Sequence, residues 1–388
     1  MHRPGKDLGV AIGFTVGAIF LSALTAGVIF TSSTTFSTLS TGDGKPPVVS
    51  SFDTYVSGPK SLYVWSHTTD SKIGTTPAWQ VLLEDRYDEV TYLCTFCKQH
   101  GISEVYLFIG SAEWEWDEYF SNLQIPHLQA VRSAIAKLTA KKITTHPMIY
   151  LNDEPDNLSN YDRMEQIAEA VRLFKESNPD LLIGTLHIDQ EPANPTAYTD
   201  YIRMLYLAAQ KLPISVAIKP LWVRTELAAI EESFSLFDLA LEIDMLLDIQ
   251  SVAERFSDVV YYITSHATMM AYSNTKAQVE SLATGAMDSA VRVGKQYAES
   301  AIEVGYTNNL PAEETLHYVL TGDKQGWFDS FLDLNTSFTK TAEERSLSHR
   351  TVIHDYSQYF YSLYCELPIA KPNIVDYPYK NCPTSKSL

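Results

Sequence analysis

A chain of 388 residues that is 45% hydrophobic, 20% charged and 12% aromatic carries enough apolar material for a large core and too many aromatics to stay disordered. Its 29 Lys and Arg against 47 Asp and Glu leave a formal charge of −18, which repels phosphate backbones and excludes nucleic acid as an expected partner. The 23 tyrosines, more numerous than the 16 phenylalanines, suit surfaces that stack on sugars or other amphipathic ligands.

Near the N-terminus, Leu8–Phe30 runs for 23 residues without a charge, long enough to span a bilayer. Arg3 and Lys6 precede it and no charge follows until Asp43, so the positive-inside pattern puts the N-terminus in the cytosol and the rest of the chain outside. Residues 1–30 thus read as a cytosolic N-terminus and a single-pass signal anchor in the membrane. A cleaved signal peptide, giving a secreted protein, is the alternative, although its apolar region should be only roughly 7 to 15 residues. Either route enters the secretory pathway, and the sequons Asn157-Leu158-Ser159 and Asn335-Thr336-Ser337 fit a glycoprotein. Residues 31–60, rich in Ser, Thr, Gly and Pro, read as a stalk. The first 60 residues hold four basic and three acidic side chains, so the acidity belongs to the body that follows.

From residue 61 to 364, short β-rich runs alternate with helical segments. The predicted strands are 61–66, 103–110, 145–151, 183–191, 214–220, 266–272, 300–307 and 350–356, separated by amphipathic stretches that end at Gly, Asn-Pro or Leu-Pro. Strict alternation implies parallel strands with right-handed crossovers. Eight such units without a G-x-G-x-x-G or P-loop after the first strand favour a closed (β/α)8 TIM barrel and imply no nucleotide cofactor. Residues 234–258 either hide a strand or form one long helical excursion, and the second is preferred. Val90, Leu93, Cys94 and Cys97 fall at i, i+3, i+4 and i+7 of a helical segment, which predicts packed thiols rather than a redox or metal pair. Within the C-terminal tail 365–388, Cys365 and Cys382 bracket the Pro-rich stretch 366–381, where an oxidising compartment would favour a bridge.

In a TIM barrel the chemistry sits where strands end, on inward-pointing residues and the loops that follow. On the fourth strand a period of two places Thr185, His187, Asp189 and Glu191 on one face and Leu186, Ile188 and Gln190 on the other. The apolar face must meet the helices, so the ionisable stripe points inward and rises to the mouth. Such a stripe is costly in a lumen normally filled with Val, Ile and Leu. It is either a self-neutralising buried network or the support of a catalytic carboxyl at Glu191.

LHIDQEP, with Asp-x-Glu closing the fourth strand, resembles the Asp-x-x-Asp-x-Asp-x-Glu signature of glycoside hydrolase family 18, the chitinases and their non-catalytic relatives. Met269–Tyr272 resembles that family's Met-x-Tyr-Asp on the sixth strand, and Ile353–Tyr356 resembles the Ile-His-x-Tyr of chitinase-like barrel proteins. Gly184 and His187 stand where the signature has Asp, and Ser273 follows the sixth-strand Tyr in place of Asp. The resemblance implies Glu191 as general acid, Asp189 as its neighbour and Tyr272 as a hydrogen-bond donor to the substrate. An acid of this kind needs a pKa raised by desolvation and a nearby carboxylate.

For a sugar without an acetamide, a second carboxylate must act, and Asp355, Asp153, Glu154 and Glu113 are candidates. Trp114, Trp116 and Trp222 follow strands two and five, where their aromatic faces either stack on sugar rings or pack into loop and core. Only one of His354 and Asp355 can face inward from a regular eighth strand; His67 lies after the first. The expected partner is an oligosaccharide or polysaccharide substrate, with no metal required. A carbohydrate-binding barrel without turnover is the alternative from another class. A metal-dependent hydrolase built on His187, Asp189, Glu191 and His67 or His354 is a further one, although ligands stacked along one strand converge poorly on one ion.

Overall fold

In a computed structural model of the chain, the residues described are 60–65, 89–111, 126–150, 158–192, 194–235, 243–304, 326–354 and 356. The chain divides into two units, and all of these belong to the second, Val48–Leu388. The apolar run Leu8–Phe30, the stalk up to residue 59, His67, Glu113, Trp114, Trp116, Asp153, Glu154, Asn157, Asp355, Cys365 and Cys382 lie outside the described residues, while Lys60, expected to end the stalk, begins the first strand. Among the described residues, no helix is long and apolar enough to cross a membrane.

Strands and helices alternate: β1 (Lys60–Val64), α1 (Glu89–Gln99), β2 (Ile102–Ser111), α2 (Pro126–Ala140), β3 (Thr144–Tyr150), α3 (Leu158–Ser177), β4 (Leu186–Asp189), α4 (Tyr198–Ala209), β5 (Ile214–Ile218), α5 (Ile243–Val252), α6 (Phe256–Ile263), β6 (His266–Met270), α7 (Lys276–Arg292), β7 (Tyr297–Glu303), α8 (Gly326–Glu344) and β8 (Ser348–His354). The pairs are parallel, and β1 bonds to both β2 and β8, closing the barrel. All eight predicted strands are found. The one long helix expected before β6 is instead two, α5 and α6. Asp258 breaks it, because its buried carboxylate accepts from the backbone N–H groups of Glu254 and Arg255 (2.8 and 2.9 Å) and from Arg292 (2.7 and 2.8 Å), which starts a new helix.

Along the strands one parity faces the helices and is largely apolar, as with Leu62, Val64, Val105, Leu107, Ile188, Val216 and Ile218. Cys94 and Cys97 pack on this side from α1 as buried thiols outside any disulfide, and burial, with Cys94 beside it, pushes the Cys97 thiol up and leaves it inert. Two expectations fail on the same side of the barrel. Trp222 is fully buried between α4 and α6, its ring 5.2 Å from Phe256 and 5.3 Å from Tyr201, so it is a core residue and not a sugar platform. Asn335 is buried on α8 and accepts from the Thr351 hydroxyl at 2.5 Å, so the folded barrel offers no glycan acceptor there.

The other parity fills the lumen, and much of it is polar. Glu299 is fully buried and accepts from the hydroxyls of Tyr106, Tyr297 and Thr268. Burial, reinforced by the Glu299 charge, pushes both tyrosines up and keeps them protonated as donors. A second network begins at the base with Glu104, which is paired with Arg350 and receives His146 Nε2 at 3.1 Å. Burial pushes the Glu104 carboxyl up, but the bonds from His146 and Arg350 outweigh it and hold the group at about 2.

The direction of this second network is fixed. The backbone N–H of Thr185 donates to His146 Nδ1 at 3.0 Å, so that nitrogen carries no proton and Nε2–H faces Glu104. The Thr185 hydroxyl therefore donates to Nδ1 (2.8 Å), Ser215 donates to Thr185 (2.6 Å) and His187 Nδ1–H donates to Ser215 (3.0 Å). Burial holds His187 far below its usual range and so neutral, which makes its Nε2 the acceptor for the Tyr63 hydroxyl at 2.9 Å.

Gly184 has a steric reason to be glycine, since a Cβ there would lie 2.3 Å from His146 Cε1. Gly184→Ala pushes the imidazole off its partners, and urea unfolding should show a loss of about 1–3 kcal/mol; an unchanged midpoint would contradict the packing. Acid should also weaken the barrel. Burial holds His100 and His349 neutral down to about 3, while the unfolded chain takes their protons at about 6.5. Below that pH the unfolded state binds more protons, so stability falls by about 1.4 kcal/mol per pH unit for each group. His349→Gln, which keeps a hydrogen-bonding partner for Ser300, should remove that group's share, about 2–3 kcal/mol, from the difference in unfolding stability between pH 6 and pH 4.

Candidate active site at the barrel mouth

The ends of the strands form two arcs. On β1 to β3 the arc is aromatic: Trp65 lies 4.7 Å from Phe108 and 6.3 Å from Tyr150, ring centre to ring centre. On β4 to β8 it is ionisable, with Asp189 and Glu191 at the end of β4, Lys219 after β5, Tyr272 after β6, Glu303 ending β7 and His354 ending β8. Parallel register brings these groups to one level, as Tyr150 aligns with Asp189 and Glu303 aligns with His354.

Glu303 is buried, and its Oε2 lies 2.5 Å from His354 Nδ1. The His354 side chain keeps 21% of its surface exposed, and its ring sits 5.6 Å from Tyr63 and 5.3 Å from Tyr272. Tyr272 stays protonated, pushed up first by burial and then by the charges of its neighbours, among them Glu303, Asp189 and Glu191. Burial, with Asp189 and Glu299, does the same to Tyr63. Each hydroxyl is therefore a donor, and the three carboxylates act on Tyr272 together.

Glu191 has surroundings other than those expected for a desolvated acid. Its side chain is 27% exposed, and Lys219 Nζ lies 3.5 Å from Oε2 and donates to the Glu191 carbonyl at 2.5 Å. An ammonium at this range favours the charged carboxylate.

The predicted stripe of Thr185, His187 and Asp189 is found on the lumen face of β4, with Glu191 beyond the strand end. Of the pair on β8, His354 faces inward. Trp222 leaves the site, and Trp114, Trp116 and Asp355 lie outside the described residues. Glu303, Trp65 and Lys219 were missed by sequence reasoning. The alternation Glu299, Ala301, Glu303 against Ala298, Ser300, Ile302 was the available signal for Glu303. Trp65 closes the first strand's inward parity with Ser61 and Tyr63. Among the described residues, no group of three or more His, Cys, Asp or Glu is arranged to hold a metal ion.

No protein-family model matches the chain, and no curated protein matches it. Solved structures similar to it include a provisionally named alpha-L-fucosidase from Bacteroides thetaiotaomicron, at 10% identity and a TM-score of 0.44, over 82% of this chain and 91% of that one. They also include a GH18 chitinase from Pseudoalteromonas aurantia, at 12% identity and a TM-score of 0.39, over 78% of this chain and 95% of that one. Likenesses this distant carry no argument about activity; the closed ring of eight parallel strands rests on its own hydrogen bonds.

Proposed function

We propose that the barrel mouth is a glycoside hydrolase site, acting on an extracellular or lumenal polysaccharide by acid/base catalysis in which Glu191 is an essential carboxylate. One observation carries this reading: three carboxylates, a histidine and a protonated tyrosine converge on the mouth opposite an aromatic wall. Sugar recognition needs an apolar face to stack on, hydroxyl partners around the rim and a proton donor and acceptor at the glycosidic bond. Asp189, beside Glu191 and Tyr272, is suited to orient the sugar and stabilise positive charge that develops at the anomeric carbon, while Tyr272 donates to a substrate oxygen. The run Leu8–Phe30 would hold the barrel on the outer side of the membrane, and the body's negative charge favours a neutral or cationic glycan.

The test is a screen of the full-length protein, in detergent, on chitin-like, β-glucan and galactosaminan substrates. Glu191→Gln should abolish hydrolysis and leave glycan binding intact. Binding without turnover by the wild type would establish a lectin instead. Trp65→Ala should raise KM about threefold to tenfold, the loss of about 1 kcal/mol of stacking, with kcat less affected; an unchanged KM would remove the aromatic wall from the site.

A further inference from the structure

The two ionisable pairs at the mouth have opposite electrostatic surroundings. Glu191 faces the Lys219 ammonium at 3.5 Å, which favours the carboxylate. His354 faces the buried carboxylate of Glu303 at 2.5 Å, which favours the imidazolium and fixes the ring through Nδ1. Among the described residues, the other groups named around His354 do not reverse this. Tyr63 and Tyr272 are held protonated, Asp189 and Glu191 add negative charge from β4, and Lys219 is engaged with Glu191. An imidazole bonded through Nδ1 to a carboxylate is placed to hold and deliver a proton from Nε2, and a carboxylate facing an ammonium is placed to accept one.

We infer that His354, oriented by Glu303, is the proton donor to the leaving group, and that Glu191 is the base that activates water. The assignment rests on the hydrolase reading of the mouth and reverses the role the family resemblance implies for Glu191. In the reaction the Glu191 carboxylate takes a proton from water as the water oxygen bonds to the anomeric carbon. The bond from that carbon to the glycosidic oxygen breaks, and the His354 imidazolium gives its Nε2 proton to the departing oxygen. Water and one glycoside become two hydroxyl compounds. Glu191 then releases its proton to solvent and His354 takes one back, which restores both groups. Glu303 is a positioning residue: it touches the imidazole and not the sugar.

Leaving-group dependence separates the two roles, because a good leaving group departs without an acid. Full-length wild type, His354→Gln and Glu191→Gln are assayed on paired methyl and 2,4-dinitrophenyl β-glycosides of glucose, N-acetylglucosamine and galactosamine. His354→Gln should lower kcat/KM on the methyl glycoside by on the order of 10² or more beyond its effect on the dinitrophenyl one. Glu191→Gln should lower both alike, and proton NMR of the wild-type product should show an inverted anomer. Glu303→Gln should move the alkaline limb of the pH–rate profile to lower pH, and Glu303→Asp should restore it in part, which a merely structural role would not do. The opposite pattern, with Glu191→Gln sparing the dinitrophenyl glycoside and His354→Gln lowering both, overturns the assignment while leaving the hydrolase reading in place. A retained anomer overturns the role of Glu191 as the base. No turnover of any pair by wild type overturns the hydrolase reading itself, and circular dichroism of each variant identifies one that has not folded.

Discussion

The fold depends on buried charge being matched inside the lumen. Glu299 is sealed from water and survives there because three hydroxyls donate to it, and Glu104, partly exposed at the base, is held by Arg350 and His146. Removing one partner from such a group leaves an uncompensated charge, at a cost of about 3–5 kcal/mol. An ordinary barrel of this class fills the same volume with branched aliphatic layers. This one has exchanged insensitive packing for a set of mutual dependencies, so position and orientation are specified along much of its axis.

Those dependencies explain how the mouth can carry so many ionisable groups. Tyr63 is the shared member: its hydroxyl engages His187 below, and its ring packs beside His354 above. His187 belongs to the supporting network and stays neutral through burial. Gly184, just before β4, makes room for His146. Both residues thus serve one polar interior.

The architecture was legible in the sequence because short β-rich runs alternate with amphipathic helical stretches, signals that depend only on neighbours along the chain. The inward stripe on β4 was legible from its two-residue period. Trp222 was misjudged because position after a strand says nothing about the direction of a ring, and α4 and α6 draw it into the outer core. The sequon at Asn335 misled because a three-residue pattern is blind to burial. Glu303 and Lys219 acquire meaning only beside His354 and Glu191, partners distant in the chain. Pair chemistry of this kind is not written in local periodicity.

The one-way order of the lumen network makes it a single unit. Every proton from Tyr63 downward is directed toward the base, so turning any one hydroxyl would oblige its neighbours to turn with it. A single backbone N–H, that of Thr185 several links away, sets the polarity of the whole chain of bonds.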